Sequence, residues 1–68
     1  GRDGLAIVRR LLHDAVGHLR AGGALVFEFG LGQQDDISRL IEATDGFTVT
    51  GFRLDLQGIP RTAIATRT

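Results

Sequence analysis

The feature that most constrains how this chain can fold is a short apolar run, Ala24-Leu-Val-Phe27, set between Gly22-Gly23 and Gly30. Leu25, Val26 and Phe27 follow one another without a polar residue, although successive side chains of a strand point to opposite faces. A run of this kind reads as a strand buried on both faces. The strand is expected from Ala24 to Phe29, with Glu28 interrupting it. A carboxylate inside such a strand needs a partner if it is buried. Glu28 therefore either faces a cleft or reaches solvent at the strand end.

Helical patterns lie on both sides of this strand. Upstream, Leu5, Val8, Leu12, Val16 and Leu19 recur at three- and four-residue steps and predict a helix from about Asp3 to Arg20. Ile7, Leu11 and Ala15 widen its apolar stripe, Asp3 serves as N-cap, and Gly22 or Gly23 as the C-terminal stop. Gly17 weakens the interior by roughly 1 kcal/mol against Ala, which predicts close packing at that point. Downstream, Ile37, Leu40 and Ile41 mark a second helix from about Asp36 to Thr44. Asp35 and Asp36 at its start suit capping and the helix dipole, and Asp45-Gly46 stops it.

Two further strands close the pattern. Phe47 to Leu56 carries Thr, Val and Phe, with Gly51 as an expected bulge. Arg61 to Arg67 is rich in Thr, Ala and Ile, and Gln57-Gly58-Ile59-Pro60 between them is a turn signal. The first strand, second helix and second strand form a βαβ unit, for which a right-handed crossover is the default. The last strand follows a short turn and should run antiparallel.

Composition narrows the classes. At 68 residues the chain is one small domain or a partial one, and a chain this short buries only about 60% of the surface its unfolded form exposes. There is no cysteine, so neither a disulfide framework nor a thiolate metal site is available. Formal net charge is zero and no basic run occurs, which gives no general footprint for nucleic acid. The apolar run is far too short to span a bilayer, and no signal segment opens the chain. The absence of methionine predicts that residue 1 is not a natural start.

Several residues invite a chemical reading. Phe27-Glu-Phe-Gly30-Leu-Gly32 ends a strand and precedes a helix, like the glycine-rich loop that holds S-adenosylmethionine or a dinucleotide. It fails where a third glycine is needed: Gln33, Gln34 and Asp35 occupy the turn, and Asp35-Asp36 would repel an anion. Asp55, the candidate acid of the next strand, lies about 25 residues on, beyond the usual interval of ~20. His13 and His18 do not share a helix face as a metal pair would. His18 is placed instead to meet Asp14. Ser38 has no histidine near it in sequence, so a hydrolase triad has no support.

One set of motifs does cohere. Asp3-Gly4-Leu5, Gly22-Gly23, Glu28, Gly30, Gln33, Gly46-Phe47, Asp55, Gly58 and Arg61 occur in an order that resembles the carboxy-terminal third of HemK-type release-factor glutamine methyltransferases. The resemblance implies a Rossmann-like methyltransferase fold. The three strands would then be the fifth, sixth and seventh of its sheet, with the last inserted antiparallel between the other two. The fold class expected is α/β, with a three-stranded mixed sheet and both helices on one face, and residues 1–68 form a single partial domain.

The same resemblance implies S-adenosylmethionine as methyl donor of the intact enzyme, a peptide-chain release factor as partner, and a cytoplasmic location. The family's Asn-Pro-Pro-Tyr motif and complete donor loop do not occur in this chain. No catalytic residue, metal ligand or bound cofactor is therefore expected here. Ligands of open α/β sheets sit beyond the carboxyl ends of the parallel strands. The segments Phe29 to Gln34 and Asp55 to Arg61 reach that edge and would border the protein substrate. Glu28, Gln33, Asp55 and Arg61 are the candidate substrate-side or loop-fixing residues. Asp55 and Arg61 are expected to pair across their loop, and Gln33 to hydrogen-bond at the helix start. Two other readings stand beside this one: the end of a methyltransferase acting on ribosomal protein or nucleic acid, and a small α/β interaction module. Without upstream strands, a bare face and the Ala24 to Phe29 edge predict self-association.

Overall fold

A computed structural model describes the backbone of residues 2–68 and the side chains of residues 4–68. The N-cap expected at Asp3 lies outside the described side chains. The elements follow the order read from the sequence: α1 (Arg2–Ala15), β1 (Ala24–Glu28), α2 (Gln34–Ala43), β2 (Phe47–Leu54) and β3 (Pro60–Arg67).

The first helix is shorter than its apolar periodicity. It ends at Ala15, and the Ala15 carbonyl accepts both His18 N at 2.9 Å and Leu19 N at 3.1 Å. Gly17 lies in this closing turn with nothing within 4 Å of where a Cβ would stand, so the close packing expected there is absent. Glycine here acts as a weak helix former that lets the chain turn out. Val16 and Leu19 still pack on the core, now from the turn. Val8 and Leu12 are buried as expected, whereas Ile7 and Leu11 are 69% and 38% exposed and do not widen the buried stripe. Asp14 meets His13 at 3.6 Å and Arg10 at 3.9 Å, neighbours on the helix surface, in place of His18.

The sheet order is β1-β3-β2. β3 pairs antiparallel with both neighbours, so β1 and β2 run the same way without touching. Every ladder is antiparallel, which corrects the expected mixed sheet: inserting β3 removes the only place where a parallel ladder could form. Val49 pairs with Ala65 and Gly51 with Ile64, which leaves Thr50 unpaired in a bulge next to the glycine that predicted it. A second irregularity falls between Arg53 and Leu54, where β2 ends, two residues short of the expected Leu56.

One hydrophobic cluster holds the unit together. Val8 and Leu12 of α1, Ile37 and Ile41 of α2, Phe29, Phe47, Ala63 and Ala65 are its buried members. Leu12, Ile37 and Ile41 are fully buried, each stabilising by about 1.5–3 kcal/mol through surface removed from water. Both helices reach the cluster from the sheet face that carries Ala63 and Ala65. Leu25 and Phe27, their register partners, share that face. Among the described residues neither helix covers the other face. β1 therefore alternates, and Val26 is 51% exposed instead of buried on both sides.

Candidate functional site

The carboxyl ends of β1 and β2 bring two turns together. The first, residues 29–33, links β1 to α2. Phe29 anchors it by burial, by an edge-on contact with Phe52 (ring centroids 5.8 Å apart), and by donating its amide to Arg61 O at 2.9 Å. Gly32 takes φ +79°, a left-handed conformation that glycine adopts without strain. Gln33 precedes α2. Its Oε1 accepts the Gly30 amide at 2.9 Å, and its backbone carbonyl accepts Ile37 N at 2.9 Å. At the start of α2 the Gln33 side chain makes no cap bond to the helical amides; it turns back to Gly30.

The second turn, residues 55–59, links β2 to β3. Asp55 organises it alone. Its Oδ1 accepts Gln57 N at 2.8 Å and Ile59 N at 3.0 Å. Its backbone amide donates to Ile59 O at 2.8 Å, and its carbonyl accepts Gly58 N at 3.0 Å. Asp55 is therefore loop-fixing through backbone amides. The expected clamp with Arg61 is not formed: among the described residues the ion pairs join Arg10, His13 and Asp14 on α1 and Asp36 with Arg39 on α2. A short carboxylate bonding to amides two and four residues on satisfies the turn by itself. Arg61 is left to reach outward.

Glu28, Leu54, Asp55, Arg61 and Thr62 border one shallow depression at this end of the sheet. Glu28 is exposed at the end of β1 and is the register partner of Thr62. A second depression, bordered by Leu31, Gly32, Gln34, Asp35, Ile59 and Pro60, lies between the two turns. All four candidates thus gather at one end of the sheet: Glu28, Asp55 and Arg61 around one hollow, Gln33 in the adjoining turn.

Sequence reasoning missed the apolar side chains around them. Leu31 is 68% exposed, Leu54 61%, and Leu56 fully so. Their signal was present, because Leu31 stands between two glycines and Leu56 between Asp55 and Gln57. The surface is accordingly mixed, with a carboxylate, a guanidinium and apolar projections. Such a surface suits contact with a polypeptide. In the adjoining turn the Gly30 amide is engaged by Gln33, and Asp35 borders the depression.

Two curated proteins place the chain among known sequences. It is 37% identical over 67 residues to the release factor glutamine methyltransferase of Coxiella burnetii, a match that covers 98% of this chain and 24% of that protein. It is 38% identical over 65 residues to the release factor glutamine methyltransferase of Bradyrhizobium diazoefficiens, covering 96% of this chain and 22% of that protein. The chain spans about a quarter of the length of these curated relatives. No family model and no solved structure matches it.

Proposed function

The chain is a relative of release factor glutamine methyltransferases along nearly its whole length, and from this we propose that it forms the carboxy-terminal part of such an enzyme's Rossmann-like catalytic domain. The observation that carries the reading is this match along nearly the whole chain, which takes in the motif residues that resemble the same family. The intact enzyme would transfer a methyl group from S-adenosylmethionine to the side-chain amide nitrogen of a glutamine in a peptide-chain release factor, in the cytoplasm. A neutral amide is a poor nucleophile, so the enzyme must hold it in line with the methyl group. The residues of this chain do not fit the donor, and no catalytic role is assigned to them. Their part is to shape the wall of the cleft that meets the protein substrate, with Glu28, Arg61 and the exposed leucines facing it and Asp55 fixing its loop.

The same reading accounts for the uncovered surfaces. α1 has α2 on its Leu5 and Arg9 flank. At 100° per residue Ile7 and Leu11 fall on the opposite flank. Among the described residues β1 has β3 on one side and no strand on the other. In the longer enzyme these surfaces would be covered by the rest of the domain. The 68-residue chain alone is proposed to be inactive and to self-associate through them.

A chimera tests the assignment. The corresponding quarter of the Coxiella burnetii protein is replaced by this chain, and methylation of a release factor is followed with labelled donor. Activity in the chimera, with no calorimetric binding of S-adenosylmethionine to the 68-residue chain, is the expected result. Saturable micromolar donor binding by the short chain would contradict the assignment and restore Gly30-Leu-Gly32 as a cofactor loop.

A further inference from the structure

Three separate sequence signals meet at one side chain. Gly4 lies in the first turn of α1, Gly30 closes the strand motif, and Gln33 follows it. The Gln33 carboxamide accepts the Gly30 amide at 2.9 Å. A Cβ on Gly30 would stand 3.0 Å from its Oε1 and 3.3 Å from its Cδ. On the other side, a Cβ on Gly4 would stand 3.9 Å from its Nε2 and 4.0 Å from its Oε1. The carboxamide thus bonds within the turn after β1 and lies beside the opening of α1, segments far apart in sequence. The turn itself contains two glycines and has little intrinsic rigidity. Its exposed tip is Leu31, which borders the depression shared with Ile59 and Pro60 of the second turn.

We propose that Gln33 is a positioning residue: it ties the first turn of α1 to the turn after β1 and so fixes Leu31 on the protein-substrate side of the cleft. The role in catalysis rests on the methyltransferase reading above; the tie itself does not. Acting through Leu31, Gln33 governs how the protein substrate is held and leaves the methyl donor untouched.

The tie is tested on the 68-residue chain by NMR. The Gln33 side-chain amide protons should show cross-relaxation to the Gly4 α-protons. In Gln33→Ala the Gly30 amide should exchange about tenfold faster, as expected for loss of one hydrogen bond. Gln33→Glu keeps the acceptor oxygen and should keep Gly30 protected. The catalytic role is tested in the chimera. Gln33→Ala should raise KM for the release factor about tenfold while KM for the donor stays within about twofold, the pattern of lost ground-state binding to one substrate only. Gln33→Glu should recover most of that loss. Unchanged exchange at Gly30 in Gln33→Ala overturns the tie. A lower melting temperature with both KM values unchanged reduces Gln33 to a capping residue and overturns the catalytic role. A chimera inactive with its natural Gln33 counts against the methyltransferase reading alone, and the exchange result still decides the tie.

Discussion

Replacing Gly46 with alanine should remove a large part of this chain's stability. Gly46 turns the chain from α2 into β2 at φ +96°, where an L-residue is strained by roughly 1–2 kcal/mol. Its surroundings add to that. A Cβ there would lie 2.6 Å from Val16 Cγ2 and 3.1 Å from Arg67 Nη1. Neither neighbour can yield freely. Val16 packs on the core, and Arg67 donates from Nε to Val16 O at 3.1 Å and from Nη1 to Gly46 O at 3.4 Å and Thr68 O at 3.0 Å. Displacing the guanidinium weakens hydrogen bonds from a charged donor, worth about 1.5–3 kcal/mol. Together the cost is about 2–4 kcal/mol, against a total of about 3–10 kcal/mol for a domain of this size. The melting temperature should fall by about 8–32 °C, at roughly 4–8 °C per kcal/mol.

Gly58→Ala is the matched control for that experiment. It has φ +81° with nothing within 4 Å, and so carries the backbone strain alone. Urea unfolding followed by far-ultraviolet circular dichroism should separate the two variants by about 1–3 kcal/mol, the share due to Val16 and Arg67. Equal losses would refute the reasoning and show that the Arg67 contacts contribute nothing to stability.

Three more outcomes follow from the loops and edges. Asp55→Ala should cost about 1–3 kcal/mol by leaving two turn amides without their acceptor, whereas Arg61→Ala should change stability by no more than about 0.5 kcal/mol; urea melts giving the reverse order would reinstate the clamp. Glu42 accepts the Val49 amide at 2.6 Å and Thr48 Oγ1 at 3.1 Å, so Glu42→Gln should cost less than Glu42→Ala, which should lose about 1–2 kcal/mol in the same assay. Light scattering over a dilution series should show the apparent mass rising with concentration, and Val26→Lys should suppress the rise by placing a charge on the open face; a monomer at every concentration would remove the association surface.

The sequence disclosed what local patterns control. The Ile37 and Ile41 stripe, the two glycine-marked turns around α2 and the bulge beside Gly51 depend on neighbours within a few residues, and all are found. The antiparallel last strand followed from a short turn and nothing more. The end of α1 was not legible, because its stripe continues through Val16 and Leu19 while the backbone leaves the helix at Gly17. The exposure of Val26 was not legible either, since periodicity reports what a strand can tolerate and not which neighbours are present. In the site, the Gln33 side chain was expected at the helix start and instead binds Gly30, three residues back. Its nearness to Gly4 joins distant segments and could not be read. The Asp55 clamp failed for a simpler reason: the carboxylate had nearer amides to bind than the guanidinium paired with it on paper.

The central place of β3 has a consequence for how the chain is made. β1 and β2 have no ladder with each other, and each pairs only with Pro60–Arg67. β2 meets it across the short turn 55–59, but β1 and β3 pair slowly, because a long loop must close before any of their contacts is gained. During synthesis from the amino end, both outer strands leave the ribosome before the strand that joins them. Until then their amides and apolar faces remain open to any other extended chain nearby. The interval between the emergence of Ala24 and that of Arg67 is therefore the period in which this segment most needs a chaperone.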